Sequence, residues 1–213
     1  MIDGPRIPPA SGAPAKSLVI LLHGYGSNGD DLIGLAPHWR PALPHTAFVS
    51  PNAPEICPGA PGGYQWWGIA SLDRNARAAG AARAAPALNE FIDAELASHG
   101  LTETSLALVG FSQGTMMALH VGPGRATSMA GIVGYSGMVA DEAALAAAPG
   151  RPPILLVHGD ADPMIPVTAF HNAETVLAGA GFAVQSHVSP GLGHSIDMAG
   201  LQLGGAFLSR VLG

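Results

Sequence analysis

The chain has 213 residues, a formal net charge of −6, 48% apolar residues and only 11% charged ones. At ~100–200 residues per domain this length argues for a single folded domain, and a charge content far below the usual ~25% excludes a chain that stays solvated without a core. No Lys/Arg run exists to neutralise phosphates, which excludes a nucleic-acid partner, and Cys57, the single cysteine, leaves no intrachain disulfide and no cysteine-rich zinc site.

In chain order, residues 1–16 (MIDGPRIPPASGAPAK) contain four prolines and no apolar h-region. They predict an extended N-terminal arm with no regular element and no secretory signal. Residues 17–213 then read as one domain. Short apolar runs at 18–22 (LVILL), 47–49 (AFV), 106–109 (LALV), 131–133 (GIV), 154–157 (ILLV) and 183–188 (AVQSHV) predict strands. Helical patterns lie at about 30–40, 73–99, 113–121, 141–148, 167–180 and 195–211. Strand–helix alternation of this kind predicts a mostly parallel, open α/β sheet flanked by helices on both sides. The continuously apolar runs fit strands covered on both faces. None approaches the ~20 residues that span a bilayer, so a cytoplasmic protein without membrane insertion is expected. The segment 51–71 (PNAPEICPGAPGGYQWWGIAS) has no periodicity. Because it holds Tyr64, Trp66 and Trp67, it predicts a packed surface loop rather than a disordered one.

The chemistry begins at Gly110-Phe111-Ser112-Gln113-Gly114, a G-x-S-x-G match. The pentapeptide alone is a weak signal in a Gly-rich chain. Its setting, directly after a predicted strand and opening a predicted helix, is the strand–turn–helix context such a nucleophile needs. A Cβ at either glycine would press on neighbouring backbone, and the turn lifts the serine hydroxyl above the sheet edge. A serine needs a base to take its proton. Downstream, in the order acid then histidine, come His158-Gly159-Asp160-Ala161-Asp162-Pro163 and Gly191-Leu192-Gly193-His194-Ser195, both after predicted strands. These loops fall at carboxyl ends of strands, where open α/β sheets place their sites. Ser112 is thus the candidate nucleophile, His194 the base and Asp162 the carboxylate that orients the base. Asp160 is the alternative acid, and Pro163 favours Asp162 as the rigidly held one. A metal reading of His158-x-Asp160-x-Asp162 has no further ligand cluster behind it. The oxyanion needs two donors. The Gln113 N–H follows the nucleophile, and the Tyr25 N–H lies in the loop after the first core strand, His23-Gly24-Tyr25-Gly26.

Two decoys share these loops. Gly24-Tyr25-Gly26-Ser27-Asn28-Gly29 is a literal G-x-G-x-x-G. The following helix opens with Asp30-Asp31, which would repel a pyrophosphate, and the second strand ends Val49-Ser50-Pro51-Asn52 with no acid for a ribose. Ser136 in Gly134-Tyr135-Ser136-Gly137 also follows a strand, but its second glycine is misplaced. It reads as wall.

Taken in order, HGYGSNGDDL, SPNAP, GFSQG, HGDADPMIP and GLGHSID resemble the phospholipase/carboxylesterase family of α/β hydrolases, which includes the acyl-protein thioesterases. The resemblance runs from about residue 18 to the C-terminus. It implies Ser112, Asp162 and His194 as triad, Tyr25 and Gln113 as oxyanion donors, no cofactor, a minimal core without a large lid, and a tendency to form homodimers. Two departures concern the acyl side: Gly68 stands where relatives commonly carry Asp, and Tyr25 where they often carry Leu. They favour a bacterial-type carboxylesterase over a protein-depalmitoylating enzyme. The expected activity is hydrolysis of small to medium carboxylic esters. Thioesterase or lysophospholipase activity is the alternative within the class, and a catalytically silent binding module the alternative outside it. Trp66, Trp67, Leu72 and Met138 are candidates to line an apolar acyl groove, although such side chains fill cores just as readily.

Overall fold

The computed structural model describes residues 2–69 and 73–213; the candidate Leu72 lies outside the described residues. Nine strands are β1 (Arg6–Ile7), β2 (Ser17–Leu22), β3 (Thr46–Val49), β4 (Glu55–Ile56), β5 (Tyr64–Gln65), β6 (Leu106–Phe111), β7 (Gly131–Tyr135), β8 (Ile154–Gly159) and β9 (Val184–Ser189) among the described residues. Seven helices are α1 (Gly29–Ile33), α2 (Ala36–Trp39), α3 (Arg74–His99), α4 (Gln113–Gly124), α5 (Glu142–Ala147), α6 (Val167–Gly179) and α7 (Met198–Leu212) among the same residues.

Seven strands form one sheet in the order β1-β3-β2-β6-β7-β8-β9. All neighbours are parallel except β1, which runs antiparallel to β3. The expected open, mostly parallel sheet is therefore the observed one. Every residue of β2 and β8 is buried, as continuous apolar runs require when both faces are covered. Alternate residues serve opposite layers. Leu18, Ile20 and Leu22 pack with Leu88, Phe91, Ile92, Met117 and Phe170 on the side of α3, α4 and α6. Val19 and Leu21 pack with Trp39, Phe207 and Leu208 on the side of α2 and α7. By contrast β9 (VQSHVS) is half exposed, as an edge strand should be.

Four local expectations are corrected. The arm does contain a regular element, because β1 pairs Arg6 with Val49 and Ile7 with Phe48 between flanking prolines. The helix expected over 30–40 is two short helices, with Pro37 in the first turn of α2, where its missing N–H costs nothing. The helix expected from 195 starts only at Met198, because Asp197 caps it by accepting the Gly200 N–H at 2.7 Å. The segment 51–71 is not irregular throughout: β4 and β5 form a two-stranded antiparallel ribbon.

The arm is held by charge as well as by pairing. The Arg6 guanidinium donates to Glu95 Oε1 on α3 at 2.5 and 3.1 Å and lies over the Phe91 ring. The Glu95 side chain is only 7% exposed, whereas that of Arg6 is 45% exposed. Arg6→Ala would strand a buried carboxylate, and the exposure of the arginine limits the cost to about 1–3 kcal/mol. The expected result is a melting temperature lower by several degrees, at ~2–4 °C per kcal/mol. An unchanged thermal melt would show that the arm adds nothing to stability.

Candidate active site

The loops that follow β2, β3, β6, β7, β8 and β9 all leave the carboxyl ends of the parallel strands. Ser112 is the first residue past β6 and the N-cap of α4, with φ 54° and ψ −115°. That positive φ is strained for a residue with a Cβ, and the surroundings enforce it. The Ser112 N–H donates to Tyr135 O at 2.9 Å, and its carbonyl accepts from Thr115 N at 3.0 Å. Thr115 Oγ1 is 2.8 Å from both the Gly110 and Tyr135 carbonyls and can donate to either, cross-linking β6, β7 and the first turn of α4. A Cβ on Gly114 would overlap the Leu22 carbonyl, and one on Gly110 would overlap Thr115 N. The elbow thus needs glycine on both sides because helix, turn and neighbouring strand meet there backbone to backbone. Thr115 carries as much of this geometry as the glycines, and the pentapeptide does not reveal it.

The side chains of His194 and Asp162 come together across two loops. His194 Nδ1 is 2.7 Å from Asp162 Oδ2. A carboxylate only accepts, so Nδ1 bears the proton and Nε2 is left with a lone pair. Asp162 Oδ1 accepts the N–H groups of Met164 at 2.8 Å and Ile165 at 2.9 Å. Burial raises the Asp162 pKa, but the Ile165 N–H, the His194 imidazole and the Met164 N–H together hold it below the ordinary carboxylate range. Asp160 points elsewhere. It accepts the Gly191 N–H at 2.6 Å and so ties the acid loop to the histidine loop. Phe111 packs on the imidazole, with ring centroids 4.9 Å apart. Ser136, φ 46°, donates its hydroxyl to the Ser195 carbonyl at 3.1 Å and so steadies the residue next to the base.

Around the donors, His23 is the organising residue. The Ala53 N–H donates to its Nε2 at 2.9 Å, so the proton is on Nδ1, which donates to Gly24 O at 2.7 Å. The carbonyl so held belongs to the same planar peptide as the Tyr25 N–H, which lies on the opposite edge. Fixing one therefore aims the other. A Cβ on Gly24 would lie 3.2 Å from Ser112 Cβ, so this loop passes directly beside the elbow. The Gln113 N–H is in the first turn of α4, among the donors a helix leaves unused. The Gln113 side chain is spent on structure: Oε1 accepts the Trp66 N–H and Nε2 donates to Trp67 O, both at 2.9 Å.

Ser112 and His194 open onto two hollows. A cavity of about 190 Å³ is lined by Tyr25, Trp67, Ile69, Met116, Met138 and Met164. On the other side a more open cleft of about 370 Å³ is lined by Ser27, Asp31, Phe111 and Ser195 among others. Trp67 and Met138 line the smaller hollow. Both tryptophans are buried in the same core cluster, but Trp66 reaches neither hollow, and its indole N–H donates to the His23 carbonyl at 3.0 Å. Among the described residues no group of three or more His, Cys, Asp or Glu could hold a metal ion.

Sheet order, elbow and loop placement define an α/β hydrolase. Residues 7–212 match the phospholipase/carboxylesterase family, and the chain belongs to it. Esterase YpfH of Escherichia coli is 29% identical over 192 residues, covering 89% of this chain and 80% of that one. Acyl-protein thioesterase 1 of Schizosaccharomyces pombe is 35% identical over 161 residues, covering 70% and 69%. The crystal structure of esterase PE8 superposes with a TM-score of 0.94 at 43% identity, covering 99% of both chains.

Two predictions follow from the buried polar groups. Burial draws the pKa of His23, and likewise that of His120, below the ordinary histidine range. Below pH ~6.5 the unfolded chain binds protons that the native imidazoles refuse, so stability falls as pH drops. The Asp162 pKa is also lowered, but from the carboxylate range, so its contribution is intact above ~4 and is lost only below that. Melting temperature is therefore expected to fall between pH 7.5 and 5.5, and a flat profile there would contradict the histidine assignment. Gln113→Ala leaves a buried N–H and carbonyl of the Trp66–Trp67 segment unpaired, at a cost of about 1–3 kcal/mol. It keeps the backbone donor, so hydrolysis should suffer far less than in Ser112→Ala.

Proposed function

We propose that the chain is a serine carboxylesterase acting on small to medium carboxylic esters through an acyl-enzyme on Ser112. The observation that carries this reading is the convergence on one cavity of a serine on a positive-φ elbow and an imidazole hydrogen-bonded at 2.7 Å to a buried aspartate. His194 Nε2 takes the Ser112 proton as Oγ attacks the ester carbonyl. The oxyanion accepts the Gln113 and Tyr25 N–H groups. Protonated His194 returns the proton to the departing alkoxide, and the Asp162 carboxylate stabilises the imidazolium in between. A water, deprotonated by the same imidazole, then attacks the acyl carbonyl, and the imidazolium returns that proton to Ser112 Oγ as the carboxylic acid departs.

Substrate size is inferred from the apolar cavity. At about 190 Å³ it is smaller than the ~300–1,000 Å³ pockets that enclose drug-sized ligands. It suits a short acyl chain, with the alcohol part in the more open, polar cleft beside Asp31. The acyl-protein thioesterases among the relatives support a second reading, in which the same residues cleave a thioester.

Purified protein is expected to hydrolyse p-nitrophenyl butyrate and to be labelled by a fluorophosphonate at Ser112. Ser112→Ala should lose turnover by several orders of magnitude, on the order of 10⁴–10⁶, with an unchanged melt. An acetate-to-palmitate series in oxygen and thio esters is expected to peak at short oxygen esters. A peak at long thioesters would favour the second reading. Neither turnover nor labelling would mean a silent binding module.

A further inference from the structure

His158 is the penultimate residue of β8, four residues before Asp162, and the proposed chemistry leaves it unused. It is 1% exposed, and its ring packs on Phe170, with centroids 5.5 Å apart. Nε2 is 2.8 Å from the Ile165 carbonyl. Because that oxygen can only accept, the proton is on Nε2. The same nitrogen lies 3.4 Å from Asp162 Oδ2, the oxygen that receives His194 Nδ1–H. Nδ1 is buried with no hydrogen-bond partner among the described residues. An imidazole that leaves one nitrogen dry is kept for the other. A hydrophobic residue would fill the volume without that desolvation cost.

The arrangement closes a ring of contacts. Ile165 N–H donates to Asp162 Oδ1, while Ile165 O accepts from His158, whose Nε2 also lies near Asp162 Oδ2. The acid is therefore fixed by Oδ1 to its own loop and by Oδ2 to His194, and His158 braces that loop through Ile165. We propose that His158 is a positioning residue. Its Nε2–H locks the 162–165 turn and holds Asp162 Oδ2 in line with His194. This assignment rests on the proposed esterase reading and deepens it. It also accounts for the His158-x-Asp160-x-Asp162 spacing without a metal: His158 and Asp162 both bond to Ile165, and Asp160 turns to Gly191.

The test uses three substitutions that place their atoms differently. Glutamine can put an amide N–H where Nε2 stands. Asparagine is too short to reach that point, and leucine has no donor. In His158→Leu and His158→Asn, kcat for p-nitrophenyl butyrate is expected to fall about ten- to hundredfold, the scale of a small misplacement of a reacting group. KM should move less than about threefold, and His158→Gln should recover most of the loss. The fluorophosphonate labelling rate at Ser112 should fall and recover in parallel. A leucine variant that melts like the wild type and keeps its kcat would overturn the proposal, as would a glutamine variant as impaired as asparagine. If leucine fails to fold, the glutamine–asparagine contrast decides alone. Failure of the esterase reading itself would look different, since the wild type would then show neither turnover nor labelling.

Discussion

Where β6 passes into α4, three backbones occupy nearly the same space: the end of β2 at Leu22, the turn at Ser112 and the first turn of the helix at Gly114. Close approach of this kind is possible only with glycine on both sides of the serine, and it forces Ser112 into a positive φ. Such strain persists only when the surroundings over-determine it. Here the determinants are the Ser112–Tyr135 backbone bond, the Thr115 hydroxyl and the buried sheet beneath. The rest of the site is arranged around that fixed point. The other loops do not need to create a reactive geometry; they need only reach it.

They reach it through buried polar bonds rather than apolar packing alone. His23 joins the loops after β2 and β3, Gln113 joins the elbow to the Trp66–Trp67 segment, Asp160 joins the acid loop to the histidine loop, and Ser136 supports the residue beside the base. Each link satisfies donors and acceptors that loops would otherwise expose or leave unmatched in the interior. A hydrogen bond is directional in a way that a methyl contact is not. This network therefore fixes where the donors and the imidazole point, whereas the core fixes only where the chain runs.

The long-range order of the fold was legible because its signals are strong and local. Continuous apolar runs such as LVILL and ILLV encode strands buried on both faces, and G-x-S-x-G between strand and helix encodes the elbow. The order of Ser112, Asp162 and His194 pointed to a shared rim, and the 2.7 Å contact between the last two is of the kind that order implies. What was hidden depends on partners far along the chain. A two-residue strand such as β1 has no periodicity of its own and exists because β3 lies beside it. Trp66 and Trp67 are chemically alike, and only their partners in the fold, the His23 carbonyl for one and the cavity for the other, tell them apart. The part played by His158 was hidden because spacing alone cannot say which nitrogen is dry.

The short antiparallel strand at the amino end also settles what happens at that border of the sheet. Pro5, Pro8 and Pro9 flank β1, and proline presents no amide hydrogen to an approaching strand. The Pro5 carbonyl is already taken by Ser50, and the Asp3 carbonyl by Asn52. A foreign β-segment arriving there finds a blunted margin, so the protein is guarded on this flank against the edge-to-edge recruitment that seeds aggregates.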